Sequence, residues 1–91
     1  MSNYGWVISS DLTSPSGDEG LTGPFDLHPE IQLRLAKGEG REFRLLDDDK
    51  KVYYLGKIVG SEGFEPLDDF GMPNAGCTII QYRSSDRWET L

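Results

Sequence analysis

Apolar and polar positions alternate with a period of two along several stretches of this chain, which is the pattern of half-buried strands. Residues 4–9 (YGWVIS) place Trp6 and Ile8 on one side and Val7 and Ser9 on the other. Residues 41–46 put Phe43 and Leu45 on one face and Glu42 and Arg44 on the other, with Leu46 interrupting the alternation. Residues 51–59 carry the strongest strand signal, VYYLGKIV: Val52, Tyr54 and Ile58 fall on one face and Tyr53, Leu55 and Val59 on the other. A strand apolar on both sides belongs at the centre of a sheet. Gly56, in its middle, marks a bulge or a place where a ring or backbone comes close.

Asp47-Asp48-Asp49-Lys50 is a polar connection of hairpin length, so these last two strands pair antiparallel. A second hairpin joins residues 77–83 to residues 87–91 through Ser84-Ser85-Asp86. In it Ile80 and Tyr82 share a face, and Trp88 is expected to pack across on Tyr82.

Residues 29–37 are expected to be helical, although Ile31, Leu33 and Leu35 also alternate as a strand would. The termini favour the helix. Pro29 suits the first position, Glu30 lies at the positive end, Lys37 lies at the negative end and Gly38 supplies a left-handed stop. Ile31 and Leu35 then share the buried side, Leu33 lies well round from both, and Glu30 and Arg34 stand in the favourable i, i+4 order.

Two stretches break the periodicity. Residues 10–24, including Ser14-Pro15-Ser16-Gly17, have the composition of a mobile surface connection, with a covering lid as the alternative. Residues 60–76 hold four glycines and two prolines, too many for an ordinary helix or strand, yet also Phe64, Leu67, Phe70 and Met72. Disordered linkers lack such residues. Within this stretch Pro66 to Gly71 is expected to form a single helical turn with Leu67 and Phe70 inward and Asp68 and Asp69 outward, followed by a turn at Met72-Pro73-Asn74-Ala75. The four apolar residues are expected to hold the loop to the core.

These elements predict one α+β domain over residues 1–91: a small antiparallel sheet of four or five strands with one short helix, curled toward a barrel. No internal repeat is present. A chain of 91 residues supports one modest core, built here on two Trp, four Tyr and four Phe.

Charge narrows the partners. Nine Lys and Arg against 16 Asp and Glu give a net charge of -7, with a deficit in both halves, so phosphate backbones are repelled and direct nucleic-acid binding is not expected. The single cysteine, Cys77, rules out an internal disulfide and points to a reducing compartment. The N-terminus lacks the basic start and apolar run of a secretory signal, and no apolar run is long enough to span a membrane. These features predict a complete cytoplasmic protein without membrane association.

Candidate chemistry is sparse. Asp47, Asp48 and Asp49 do not make a helical-hand calcium loop, because Val52 stands at the sixth position where glycine is needed. Gly38-Glu39-Gly40 and Gly56-Lys57-Ile58-Val59-Gly60 lack the spacing of phosphate-binding loops. Cys77 and His28 are the only thiol and the only imidazole, but nothing in their spacing makes a nucleophile–base pair. No catalytic residue, metal site or cofactor is assigned.

The residues left for display on an ordered loop are Asp68, Asp69 and Asn74. They point first to a non-enzymatic protein-interaction or regulatory module presenting an acidic loop. One alternative is an acidic nucleic-acid mimic that inhibits a DNA-binding protein. The other is a small ligand-binding domain or enzyme using Cys77 and His28.

Overall fold

A Cβ added at Gly56 would lie 2.4 Å from the Val7 carbonyl oxygen and 2.5 Å from Cζ of Phe43, so the central strand is glycine where two neighbours close over it. Around that point the computed structural model, which describes residues 2–13 and 17–91, builds one six-stranded antiparallel sheet. The strands are β1 (Gly5–Asp11), β2 (Thr22–Gly23), β3 (Arg41–Leu46), β4 (Val52–Val59), β5 (Ile79–Ser84) and β6 (Arg87–Thr90), with helix α1 (Pro29–Ala36) between β2 and β3. The order across the sheet is β2-β1-β4-β3-β5-β6. Both expected hairpins form, and β4 pairs with β1 on one side and β3 on the other.

The sheet has six strands rather than four or five, and it stays open. The additional strand is the two-residue β2, which pairs Trp6 with Gly23 and Val7 with Thr22. It arises inside the stretch expected to be a mobile connection; of that stretch, Ser14, Pro15 and Ser16 lie outside the described residues. Closure into a barrel would need β2 and β6 to pair, and they stand at opposite edges.

Alternation about the register places Trp6, Ile8, Tyr54, Ile58, Phe43, Leu45, Ile80 and Tyr82 on one face. That face is the core. Its rings meet edge to face or tilted: Trp6 on Phe70 at 5.4 Å, Tyr54 on Phe70 at 4.9 Å and Phe43 on Tyr82 at 6.4 Å between centroids. The reverse face carries Val7, Leu55, Lys57, Glu42, Arg44, Gln81, Arg83 and Trp88, and α1 covers one end of it by setting Ile31 against Gly5. A half-solvated antiparallel sheet explains this apolar and polar division.

One register expectation fails. Trp88 lies opposite Arg83, not Tyr82, which pairs with Glu89. Side chains one residue apart point to opposite faces, so Trp88 sits on the reverse face with the Arg44 guanidinium 4.5 Å from its ring centroid. Helix α1 forms with His28 as N-cap, its Nδ1 accepting from the Glu30 N–H, and Gly38 follows at φ 83°. Leu35 is buried and Leu33 exposed, as the helical spacing requires. Arg34 forms its ion pair with Glu39 beyond the helix end and not with Glu30.

Candidate functional site

Phe70 and Leu67 project into the aromatic face of the sheet, and they carry the chain around them into helical geometry despite its prolines and glycines. Residues 65–75 are continuously helical, with a π-helical turn over Leu67–Gly71 followed by α2 (Met72–Ala75). Proline inside a helix lacks an N–H and presses on the carbonyl of the preceding turn. Here the turn before Pro73 is widened, with the Met72 N–H bonding the Leu67 carbonyl, so the proline is accommodated. Gly76, at φ 71°, ends the segment. The expected turn at Met72-Pro73-Asn74-Ala75 is thus helix, because packing of Leu67 and Phe70 offsets poor local propensity. Phe64 and Met72 do not anchor it: each is 49% exposed.

The three residues singled out for display have different surroundings. Asp68 points outward and has no side-chain partner among the described residues. Asp69 is a pin: one oxygen, Oδ2, accepts from the Tyr4 hydroxyl at 2.8 Å and from Trp6 Nε1 at 3.0 Å. Asn74 is a second pin, its Nδ2 donating to Asp18 Oδ2 at 3.2 Å and to the Tyr54 hydroxyl at 3.4 Å. The loop therefore lies on the sheet, tied to β1 at one end and to the 17–20 turn at the other.

Acidic groups gather along this face. The Tyr4 hydroxyl is pushed up to about 12 by burial, by its hydrogen bond to Asp69, and by the charges of Asp69, Glu65 and Asp26. The hydrogen bond from Ser2 is the main cause that holds the Asp26 carboxyl below its ordinary value. At the other end Asp11, buried, accepts from the Thr13 and Asp18 N–H groups. Burial raises Tyr54, and the neighbouring Asp11 and Asp18 charges add to it.

Among the described residues no lysine or arginine forms an ion pair with Asp18, Asp26, Glu65, Asp68 or Asp69, although the N-terminal charge helps to lower Asp26. Residues 2–33 and 58–82 contain no Lys or Arg. Among the described residues the fold ties Tyr4, Trp6 and Asp18 of the first stretch to Asp69 and Asn74 of the second, while the basic residues lie on the β3–β4 and β5–β6 hairpins, on α1 and at its C-cap Lys37. The deficit shared by both halves of the sequence is therefore unevenly spread in space, with Arg41 reaching into the second stretch to pair with Glu62. Counting by halves hides it; the two long gaps between basic residues were the available signal.

Cys77 and His28 are not brought together. Cys77 is fully buried in the core cluster and its thiol is pushed up to about 11, chiefly by burial, the setting of an inert core thiol. His28 caps α1. No group of three or more His, Cys, Asp or Glu suited to a metal occurs among the described residues.

Concavities also lie away from this segment. An open groove of about 460 Å³ runs past Arg34, Arg41, Val59 and Glu62, but Arg34 is paired with Glu39 and Arg41 with Glu62. A smaller hollow of about 140 Å³ on the reverse face is lined by Ser9, Leu55, Gly56 and Trp88, with the Glu42–Arg83 ion pair at its side. Neither gathers unpaired charge with a nucleophile. No helix among the described residues is long and apolar enough to cross a membrane. Comparison with protein-family models, curated proteins and solved structures gives no match.

Proposed function

We propose that this chain is a non-enzymatic interaction module that presents the acidic face built on residues 60–76 to a basic protein partner. The observation that carries the reading is the tying of two cation-free stretches to each other, with Asp69 and Asn74 holding the helical segment and Asp68 turned outward. Carboxylates without a cationic neighbour of their own attract a cationic surface at long range and speed encounter with it. Asp68, Asp69 and Asn74 divide the labour: Asp68 for contact, the other two for shape.

The test is affinity capture from the native cell with wild type and Asp68→Lys. The expected result is a protein retained by wild type, released as salt rises, and lost with Asp68→Lys. Recovery of the same proteins by both would overturn the assignment of Asp68.

The same uneven spread of charge favours a second reading, an acidic mimic of nucleic acid that occupies a DNA-binding protein. It predicts that duplex DNA displaces the captured protein in competition. A partner indifferent to DNA leaves the first reading alone.

A further inference from the structure

The sheet ends on one side at β2 and on the other at β6. An edge strand shows a row of unused backbone N–H and C=O groups, and proteins blunt such rows with short strands, proline, bulges or a covering. β2 is blunted, having two residues with Pro24 directly after them. β6 is not: Arg87–Thr90 pairs with β5 over its whole length without a register shift and contains no proline. Its largest side chain, Trp88, reaches inward across β5 to Arg44 on β3 and lines the hollow beside Leu55, which leaves the outer edge bare.

The hairpin fixes which backbone groups are free. Antiparallel pairs alternate between bonded and unbonded, and the Leu91 N–H donates to the Ile80 carbonyl. Arg87, Glu89 and Leu91 therefore turn their backbone groups to β5, while Trp88 and Thr90 turn theirs outward. Side chains alternate too: Arg87 and Glu89 stand on the face opposite Trp88, and both are exposed. Among the described residues neither has a side-chain hydrogen bond or ion pair, whereas Arg34, Arg41 and Arg83 are ion-paired and Arg44 lies on Trp88.

We propose that β6 pairs antiparallel with β6 of a second copy of this chain about a two-fold axis at Trp88, so that one sheet runs through both copies. The Trp88 N–H and C=O then bond the same groups of Trp88 in the second copy. Arg87 of each copy lies opposite Glu89 of the other in an unbonded pair, where side chains approach most closely. Two-fold symmetry makes this charge pair twice. A register displaced by one residue would set outward backbone groups against inward ones, and one centred on Thr90 would set Glu89 opposite Leu91. The net charge of -7 repels a second copy at long range, but residues 83–91 carry Arg83 and Arg87 against Asp86 and Glu89, so the contact itself is balanced. It uses no residue of the acidic face, and failure of either reading leaves the other standing.

The experiment is sedimentation equilibrium of the full chain over a concentration series, with Arg87→Glu and Glu89→Arg. Wild type is expected to approach twice the monomer mass as concentration rises. Each single variant is expected to weaken the dimer by about tenfold or more, because it turns two attractive pairs repulsive. An equimolar mixture of the two variants restores the pairs between unlike chains, and the double variant Arg87→Glu/Glu89→Arg restores them at unchanged net charge; both are expected to dimerise as wild type does. At low concentration all are expected to melt with wild type, since the replaced side chains are exposed and unpaired. In isotope-labelled wild type, concentration-dependent amide shifts are expected at residues 86–90.

Wild type that stays monomeric up to about 1 mM would overturn the second copy as occupant and leave the edge to a strand of another protein. Single variants that dimerise as wild type does, or a double variant that fails to, would overturn the register. Mass growing beyond the dimer would overturn the two-fold contact. Shifts centred on residues 2–4 or 60–76 would overturn the placement on β6.

Discussion

Trp6 Nε1 donates to Asp69 Oδ2 at 3.0 Å across 63 positions of sequence, and the Tyr4 hydroxyl donates to the same oxygen at 2.8 Å. One carboxylate thereby satisfies two aromatic donors of the first strand and fastens the 65–75 segment over the core. An aspartate that reads from sequence as display is in large part structural.

Asp69→Ala is expected to lower stability by about 1–3 kcal/mol, because the indole N–H and the phenol lose their acceptor in a partly buried place. Asp69→Asn keeps an acceptor and is expected to cost less. Asp68→Asn, which removes no contact, is expected to stay within about 0.5 kcal/mol of wild type. Urea unfolding followed by Trp fluorescence ranks the three, and equal midpoints for the Asp69→Ala variant and wild type would refute the pin.

Gly56→Ala is expected to destabilise by about 1–3 kcal/mol or more, because the added methyl would meet the Val7 carbonyl oxygen at 2.4 Å and the Phe43 ring at 2.5 Å. A carbonyl fixed in the β1–β4 ladder cannot retreat without loosening strand pairing. A melting temperature at or above that of wild type would show that the sheet relaxes more freely than its packing implies.

Alkaline pH is expected to weaken the fold in a defined window. The Tyr4 phenol is raised from its ordinary 10.0 to about 12 by burial and by Asp69, and burial likewise raises Tyr54 and Tyr82. A group that holds its proton more tightly when folded contributes stability that is fully present below the unfolded value, near pH 10. That contribution is lost as pH rises through the folded value. For Tyr4 the loss runs from about pH 10 to about pH 12. Unfolding midpoints across this range, with Tyr4→Phe as the comparison, check it: the variant is expected to show a shallower decline, and parallel declines would assign the effect elsewhere.

Cys77 is 0% exposed and its thiol is pushed up to about 11 by burial. Alkylation of the native chain near neutral pH is expected to be at least about a thousandfold slower than in urea, since it must await opening of the core. Comparable rates in both conditions would restore the thiol as a candidate nucleophile.

The sequence by itself determined the two hairpins, the N-terminal strand and the limits of α1. Each rests on neighbours within a few residues: alternation at period two in β3 and β4, the Asp47 turn whose Oδ1 accepts from the Asp49 and Lys51 N–H groups, and Pro29 and Gly38 at the helix ends. It also marked residues 60–76 as ordered, because Leu67 and Phe70 demand burial. Only the tertiary structure decided that this stretch is a helix widened ahead of Pro73, since its local propensity argues against one and the stabilising contacts come from Trp6 and Tyr54, distant in the chain. The face of Trp88 was equally beyond reach, because a one-residue change in pairing reverses every side chain of a strand. So was the grouping of acidic residues: charge is counted along a sequence, but it acts at distances that folding sets, and folding tied Tyr4 and Asp18 to Asp69 and Asn74.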